Sequence, residues 1–491
     1  LSIGAGSLLI CAIDNLESAD FSNNRTQTVD ISVIGAGYVG LVTSACLAYL
    51  GNRVIAVDSN REKLESLKNG RAPFFEPGLD EFLSDAIKSG YLEFSDSIEQ
   101  AVAKSEVIFI AVGTPPLSNG ESDLSQVMAV ARAIGRSLDS SRKRIIVNKS
   151  TVPVGSGNWV EMLVSQGVQA VQTVPARASK ADAPVFTVVS NPEFLREGSA
   201  ITDSFYPDRI VVGASDEHAA TLMKQLYKPI LTQSFEPPTY APRPANFATV
   251  PFVITDVPSA ELIKYSANAF LALKISFANE IAGLCEKVGA DVRQIVRGIG
   301  LDKRIGSNFL NAGVGWGGSC FGKDIGALQQ VAREYSYPTP LLEATCEVNE
   351  RQRLVVIKKL QEELKILKGR TVGLMGLSFK PNTDDLRDAP SLTIARQLLK
   401  MGAAVKVHDP VANEICRSQH GDLDLVYCDT VTHLATDSDA LVLVTEWEEF
   451  QRTDWKALSK VMRWPLIIDG RNILTESDVT GAGLIYRGIG H

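Results

Sequence analysis

From Val29 onward, short apolar runs alternate with longer stretches in which apolar and polar residues recur at a helical period. The runs are Val29–Ile34, Val54–Val57, Ser105–Val112, Ile145–Lys149, Val185–Val189 and Pro207–Val212, mostly Val and Ile, with Gly, Pro, Asn or Asp beside them. Such runs predict buried strands. Their alternation with helical segments predicts a parallel sheet covered on both faces. The pattern changes at Ser259. Leu262, Tyr265, Ala269, Phe270, Leu273, Phe277 and Ile281 recur at helical spacing and predict one long helix. Leu341–Leu367 predicts a second long helix that joins the middle of the chain to its last part and offers a dimerisation surface. Strand runs return at Thr371–Leu377, Val405–His408, Ala440–Val444 and Leu466–Ile468, with a helix at 390–401.

The expected fold class is therefore α/β, with two parallel-sheet domains joined by a central helical region that carries a long helix. The expected divisions are an extension at 1–28, a first sheet domain at 29–230, a proline-rich insert at 231–256, a central helical domain at 257–365 and a last sheet domain at 366–491. Six prolines between Pro237 and Pro258 exclude a regular helix there and predict a rigid surface excursion. The polar segment 172–183 resists assignment to strand or helix.

The 491 residues are enough for about three domains. A net charge of −8 without a long Lys/Arg tract argues against nucleic acid as a partner. The seven cysteines are too scattered for a disulfide scaffold, and no CxxC pair signals a metal, so reduced thiols and a cytoplasmic setting are expected. Leu1–Ile13 is apolar but lacks the basic start of a signal peptide. No membrane segment is expected; the uncharged stretch between Asp30 and Arg53 is barely long enough and carries glycines with a better explanation.

Those glycines, Gly35, Gly37 and Gly40, form GxGxxG between a strand and a helix, with Gly51 closing the helix and Asp58 ending the next strand. The first allows a tight turn, the second close approach of a pyrophosphate, and the third helix–strand packing. The phosphates would meet the helix N-terminus. Asp58 suits the adenosine ribose and repels a 2′-phosphate, so NAD is favoured over NADP, with Arg61 and Lys63 as the contrary signal. The domain is thus expected to be Rossmann-like. Thr114 in GTPP and Thr151 in STVPVG lie at the carboxyl ends of later strands, where ligands bind; Thr151 either positions a water or satisfies a local turn.

The second chemical centre is VGWGGSCFGKDIG, Val314–Gly326. A cysteine between a glycine-rich loop and a helix meets free N–H groups and the positive helix end, which favour the thiolate. A helix beginning near Ser319 places Cys320 and Asp324 one turn apart on one face. Lys264 and Asn268, four apart on the long helix, can donate to a developing oxyanion or form a solvated face. Glu193 and Glu197 in NPEFLREG are also four apart, and a helical turn would bring both carboxylates to one side for acid–base work.

The ordered series GAGYVG, VGTPP, STVPVG, NPEFLREG, LIKYSANAFLA, GGSCFGKD, GLSFKPNTDDLR and DGR resembles the UDP-glucose/GDP-mannose dehydrogenase family of nucleotide-sugar dehydrogenases over about residues 29–475. The resemblance implies two oxidations by NAD that turn the sugar's hydroxymethyl group into a carboxylate, with UDP-glucose the expected substrate and UDP-glucuronate the product, feeding polysaccharide synthesis. It implies Cys320 as nucleophile, Asp324 assisting base chemistry, Lys264 and Asn268 as oxyanion donors, and Glu193 hydrolysing a thioester with Thr151 and Glu197 supporting the water. It assigns Gly35, Gly37, Tyr38, Val39, Gly40, Asp58, Lys63, Thr114, Thr151, Glu197 and Lys323 to the cofactor. Substrate contacts are implied for Phe194, Leu195, Glu197, Lys264, Asn268, Asn308, Gly317, Phe321, Phe379, Lys380 and Arg471, and Arg304 resembles an arginine that reaches in from a neighbouring subunit. A homodimer or larger homo-oligomer is expected. The inserts at 172–183 and 232–252 and the N-terminal extension depart from the family pattern. Two alternatives stay open: the same chemistry on another nucleotide sugar such as GDP-mannose, and an NAD-binding sensor or scaffold without turnover, against which the complete reactive set stands.

Overall fold

The computed structural model describes residues 28–117, 122–171 and 184–491. The segment 172–183 and the extension before Thr28 lie outside the described residues, so their expected roles go untested. The first sheet contains β1 (Asp30–Ile34), β2 (Arg53–Val57), β3 (Leu92–Ser95), β4 (Val107–Ile110), β5 (Arg144–Asn148), β6 (Phe186–Ser190), β7 (Ile210–Gly213) and β8 (Phe252–Thr255). Its order is β3-β2-β1-β4-β5-β6-β7-β8. Every pairing is parallel except β6 with β7. The second sheet runs β11 (Leu425–Tyr427), β10 (Ala404–His408), β9 (Thr371–Met375), β12 (Ala440–Leu443), β13 (Leu466–Asp469) and β14 (Ile485–Arg487), parallel throughout.

Both sheets reverse their winding beside their first strand, β1 or β9, which opens a crevice at the carboxyl ends of the strands. Central strands such as β4 and β12 are buried along their whole length, so their apolar runs have no polar alternation. Helix α1 (Tyr38–Tyr49) follows the turn after β1. Gly35 takes φ +103° there, and a Cβ on Gly40 would lie 1.8 Å from the carbonyl oxygen of Gly35. The spacing of the fingerprint thus follows from backbone packing.

The proline-rich segment runs over the surface, with Pro242, Pro244, Ala245, Asn246, Ala248 and Thr249 exposed, but it is anchored. Ala241 and Val250 are buried, and Phe235, Tyr240 and Phe247 pack on the core of the first domain. Its final residues form β8, the eighth strand of the sheet. Proline excluded a helix there without preventing an apolar anchor.

Helix α2 (Val257–Val288) is the expected long helix. The Asp256 side chain accepts from the Ser259 N–H at its start, and Gly289 at φ +72° ends it. Its buried face is made of small and polar residues, including Glu261, Lys264, Asn268, Ser276 and Asn279. Leu262, Phe270 and Phe277, which carry part of the helical period, are exposed. The apolar period was real, but much of it lies on a side that none of the described residues covers. Helix α3 (Phe321–Glu334) begins directly after Cys320. The expected helix at 341–367 is two helices, α4 (Pro340–Arg353) and α5 (Val355–Leu364). The backbone tightens to i→i−3 bonds at the join, Leu354 N–H to Arg351 and Ile357 N–H to Leu354. Beside the join Arg353 reaches across to Asp388 at 2.6 Å.

Gly40→Ala should force α1 off β1 and lower stability by about 1–3 kcal/mol, the usual cost of overpacking. A urea unfolding curve shifted to lower denaturant checks this.

Candidate active site

The nucleophile loop is short of side-chain bulk because it passes through occupied space. A Cβ on Gly317 would lie 2.3 Å from the Asp388 carbonyl oxygen, and one on Gly318, at φ +88°, would lie 2.7 Å from the Phe379 ring. Side chains of α2 and α4 hold the loop from behind. Asn279 accepts from the Gly313 N–H at 2.8 Å, Asn349 accepts from the Trp316 N–H at 2.8 Å, and Gln352 donates to the Gly313 carbonyl at 2.8 Å. From the last domain Arg471 donates to the carbonyls of Val444, Gly315 and Phe379. Arg471, expected on the substrate, therefore spends three of its donors fastening the cysteine loop to the second sheet.

Cys320 caps α3, and the Asp324 N–H donates to its carbonyl at 2.8 Å, which fixes the predicted one-turn relation. Around it two buried pairs converge. The Lys264 ammonium donates to Glu193 at 2.8 Å, and the Asn268 amide donates to Asp324 Oδ2 at 2.6 Å. The other Asp324 oxygen takes the Lys323 ammonium at 2.6 Å. Lys264 and Glu193 are only 6 % and 8 % exposed, so neither is a solvated surface group. Burial opposes the charge of Lys264, but Glu193, Cys320 and Asp324 outweigh it and hold the ammonium above the usual lysine range. Among the described residues Glu193 Oε2 is buried without a partner and is the one carboxylate oxygen of the two pairs left to take a ligand.

The thiol itself departs from expectation. Cys320 is reachable by solvent, yet the protein packed around its sulfur raises the thiol pKa above the ordinary range, and the Lys264 charge pulls it back only in part. The helix end does not by itself make a standing thiolate.

Glu193 and Glu197 do not share a helical turn, because residues 191–196 run as an irregular loop after β6. The backbone instead sends Glu193 to Lys264 and Glu197 across to the last domain, where Arg387 donates to it at 3.0 Å. Burial, then the Asp385 charge, pushes the Glu197 carboxyl up to about 8. Ser319 bridges weakly, its hydroxyl 3.5 Å from both Glu197 and the Cys320 sulfur.

On the dinucleotide side no side chain caps α1, and a Cβ on Gly37 would meet nothing within 4 Å. The N–H groups that open the helix, at Tyr38 and Val39, thus face an open cradle that fits a pyrophosphate. Asp58 accepts from the Ala36 and Asn60 N–H groups and from Lys63 at 2.6 Å. Burial raises its pKa less than these partners lower it, so it stays a carboxylate. Lys63 is thereby tied to Asp58 and is not held out for a phosphate. Thr114 donates to the Thr151 carbonyl at 2.8 Å and joins the two loops expected at the nicotinamide.

Of the remaining expected residues, Phe194 lies between Lys264 and Arg209, whose guanidinium sits 3.8 Å from the ring centre. Leu195 packs on the first core. Phe321 meets Trp316 edge to face at 6.0 Å. Burial lowers the pKa of Lys380, whose ammonium stands 5.4 Å from the Phe379 ring. Arg304 and Asn308 are exposed, and Arg304 pairs with Asp302 nearby. Sequence reasoning missed Asn279, Asn349, Gln352 and Arg387. Their amide and guanidinium groups carry a signal only once the loop they bind is in place.

Alkylation of Cys320 by iodoacetamide should rise with a midpoint above the ordinary thiol range near pH 8.5. Lys264→Met removes the charge that lowers this pKa, so the midpoint should move higher still. A pH series of inactivation rates checks both.

Three domains of one family match the chain: the NAD binding domain of the UDP-glucose/GDP-mannose dehydrogenase family over residues 29–231, its central domain over 258–351 and its UDP binding domain over 373–476. A UDP-glucose 6-dehydrogenase of Rhizobium meliloti is 45 % identical over 465 residues, 94 % of this chain and 99 % of the relative. UDP-glucose 6-dehydrogenase TuaD of Bacillus subtilis is 43 % identical over 460 residues, covering 94 % and 93 %. The solved UDP-glucose dehydrogenase of Pyrobaculum islandicum is 39 % identical with a TM-score of 0.83, over 96 % of this chain and 99 % of that one. With its sheets, its cysteine loop and its buried pairs in this arrangement, the chain belongs to the UDP-glucose/GDP-mannose dehydrogenase family.

Proposed function

We propose that this protein oxidises the C6 hydroxymethyl of UDP-glucose to the carboxylate of UDP-glucuronate, using two NAD per sugar. The observation that carries this reading is the meeting of Cys320 with the Lys264–Glu193 and Asn268–Asp324 pairs. NAD, when bound, accepts one hydride from C6 in each oxidation. Residues 29–230, 257–365 and 366–491 would serve as cofactor, catalytic and UDP-sugar domains.

An alcohol loses hydride only as its proton leaves, so a base and a positive neighbour are needed. Asp324, held by the Asn268 amide, takes the hydroxyl proton directly or through a water, while Lys264 stabilises oxygen as it turns negative. The resulting aldehyde has no sp³ C–H bond to give. The Cys320 sulfur adds to its carbonyl carbon and forms a C–S bond, and the oxygen becomes the hydroxyl of a thiohemiacetal. Loss of the second hydride from carbon and a proton from oxygen leaves a thioester. Water then adds at the thioester carbon, its proton taken by the free oxygen of Glu193, and the C–S bond breaks to return the thiol. Thr151 and Glu197 hold the water and sugar, and Phe379, Lys380 and Arg387 belong to the UDP-sugar side.

The homo-oligomer belongs to the same proposal. Phe270, Phe277, Leu284 and Val288 make an open apolar face along α2, and Arg304, 89 % exposed, pairs among the described residues with Asp302 alone. A second copy on this face would cover the apolar residues and bring Arg304 to the neighbour's substrate. The described cysteines are all free, in keeping with a cytoplasmic protein. Among the described residues no helix is long and apolar enough to cross a membrane.

With limiting UDP-glucose and excess NAD, two NADH should form per sugar. Cys320→Ser should lower acid formation about a thousandfold or more. One NADH per sugar, or near-normal acid from the variant, contradicts the covalent route, and turnover of GDP-mannose alone would replace the substrate. Phe277→Asp with Leu284→Asp should yield a monomer by light scattering with little turnover; an active monomer removes the dimer from the proposal.

A further inference from the structure

Outside the reactive cluster, one buried carboxylate joins segments that sequence reasoning treats separately. Glu76 sits in the loop 71–78 and is 6 % exposed. Its Oε2 accepts from the Tyr38 hydroxyl and from the Gly198 N–H at 2.5 Å, and its Oε1 accepts from the Ala200 N–H at 2.6 Å. The Gly198 N–H also reaches the Tyr38 hydroxyl, at 2.9 Å. Tyr38 opens α1 immediately after the Gly37 cradle, and Phe74 stacks on its ring at 4.5 Å. Gly198 and Ala200 end the loop that carries Glu193 and Glu197.

The last domain bears on the same point. The Phe75 N–H donates to Asp384 at 3.2 Å, and a Cβ on Gly198, at φ +80°, would lie 2.7 Å from the Asn382 carbonyl. A buried carboxylate is costly unless donors surround it, and here donors arrive from two segments at once. Burial pushes the Glu76 carboxyl up to about 7 against those donors and the Lys380 charge.

We propose that Glu76 is a positioning residue of the reaction: one carboxylate clamps the cofactor turn, through Tyr38, to the loop bearing Glu193, and so fixes the spacing between bound dinucleotide and sugar. The assignment rests on the proposed oxidation. Hydride transfer falls steeply with misplacement of about 1 Å, whereas binding of either ligand to its own half does not. Loss of the clamp should therefore slow the hydride step with small effect on KM for UDP-glucose.

The test compares UDP-glucose with its C6-dideuterated form in the wild-type protein, Glu76→Gln and Tyr38→Phe. Glu76→Gln turns one acceptor into a donor facing N–H or O–H groups; Tyr38→Phe removes a single hydroxyl and leaves the Glu76 contacts to Gly198 and Ala200. Expected are a kcat lower by roughly tenfold or more in Glu76→Gln and a smaller loss in Tyr38→Phe, with KM within about threefold. The deuterium isotope effect on kcat should rise in both. Unchanged kcat and isotope effect in a folded variant overturn the assignment. So does a loss that follows only a reduced amount of alkylatable Cys320, with the isotope effect unmoved. If Glu76→Gln fails to fold, Tyr38→Phe decides. Wild-type protein that forms no NADH from UDP-glucose overturns the oxidation itself and this assignment with it.

Discussion

Two side chains one helical turn apart on α2 determine what the rest of the site can be. Lys264 and Asn268 each reach a carboxylate carried by another segment, Glu193 from the loop after β6 and Asp324 from α3. Each pair is buried, so each group is expensive to leave unmatched. Removing one member of a buried ion pair commonly costs about 3–5 kcal/mol, whereas the intact pair contributes little net stability. Their value is therefore in placement: one continuous helix sets the first domain's loop and the cysteine helix against each other.

The same helix explains the cysteine loop. Ser276 and Asn279, two and three turns beyond Asn268, bind Trp316 and Gly313. A helix face with amides and a hydroxyl at those positions gives up apolar burial, and the chain recovers it in the two sheet cores. The loop backbone then runs too close to Asp388 and Phe379 for any side chain at 317 or 318. Cys320 emerges with protein on several sides and a lysine nearby, a setting in which burial raises the thiol pKa and the Lys264 charge opposes it.

Much of this was legible in sequence. The inner strands of both sheets announced themselves because parallel strands buried on both faces read as unbroken apolar runs, whereas the edge strands β3, β8, β11 and β14 did not. Gly35 and Gly40 were legible because backbone crowding forces the residue type, and Gly37 because the open cradle in front of it suits a pyrophosphate. Cys320 and Asp324 were legible because a helix fixes their relation. What failed was local extrapolation. Glu193 and Glu197 shared a helical spacing but not a helix, since partners in different domains pull their loop apart. The apolar period of α2 gave the helix and not its buried side, because small and polar residues line the contact. The proline-rich segment hid Phe235, Tyr240, Phe247 and β8 behind a composition that excludes only helix. Glu76, Asn349 and Arg387 carry no periodic signal, and long-range contacts alone give them meaning.

The central claim is that the carbon being oxidised passes through a bond to Cys320 and that Glu193 ends that state. The most direct test is mass spectrometry of Glu193→Gln protein quenched in acid after mixing with NAD and UDP-glucose. A UDP-glucuronyl adduct on the peptide that contains Cys320 is the predicted result. Free UDP-glucuronate with unmodified Cys320, or an adduct on Lys264, would contradict the account.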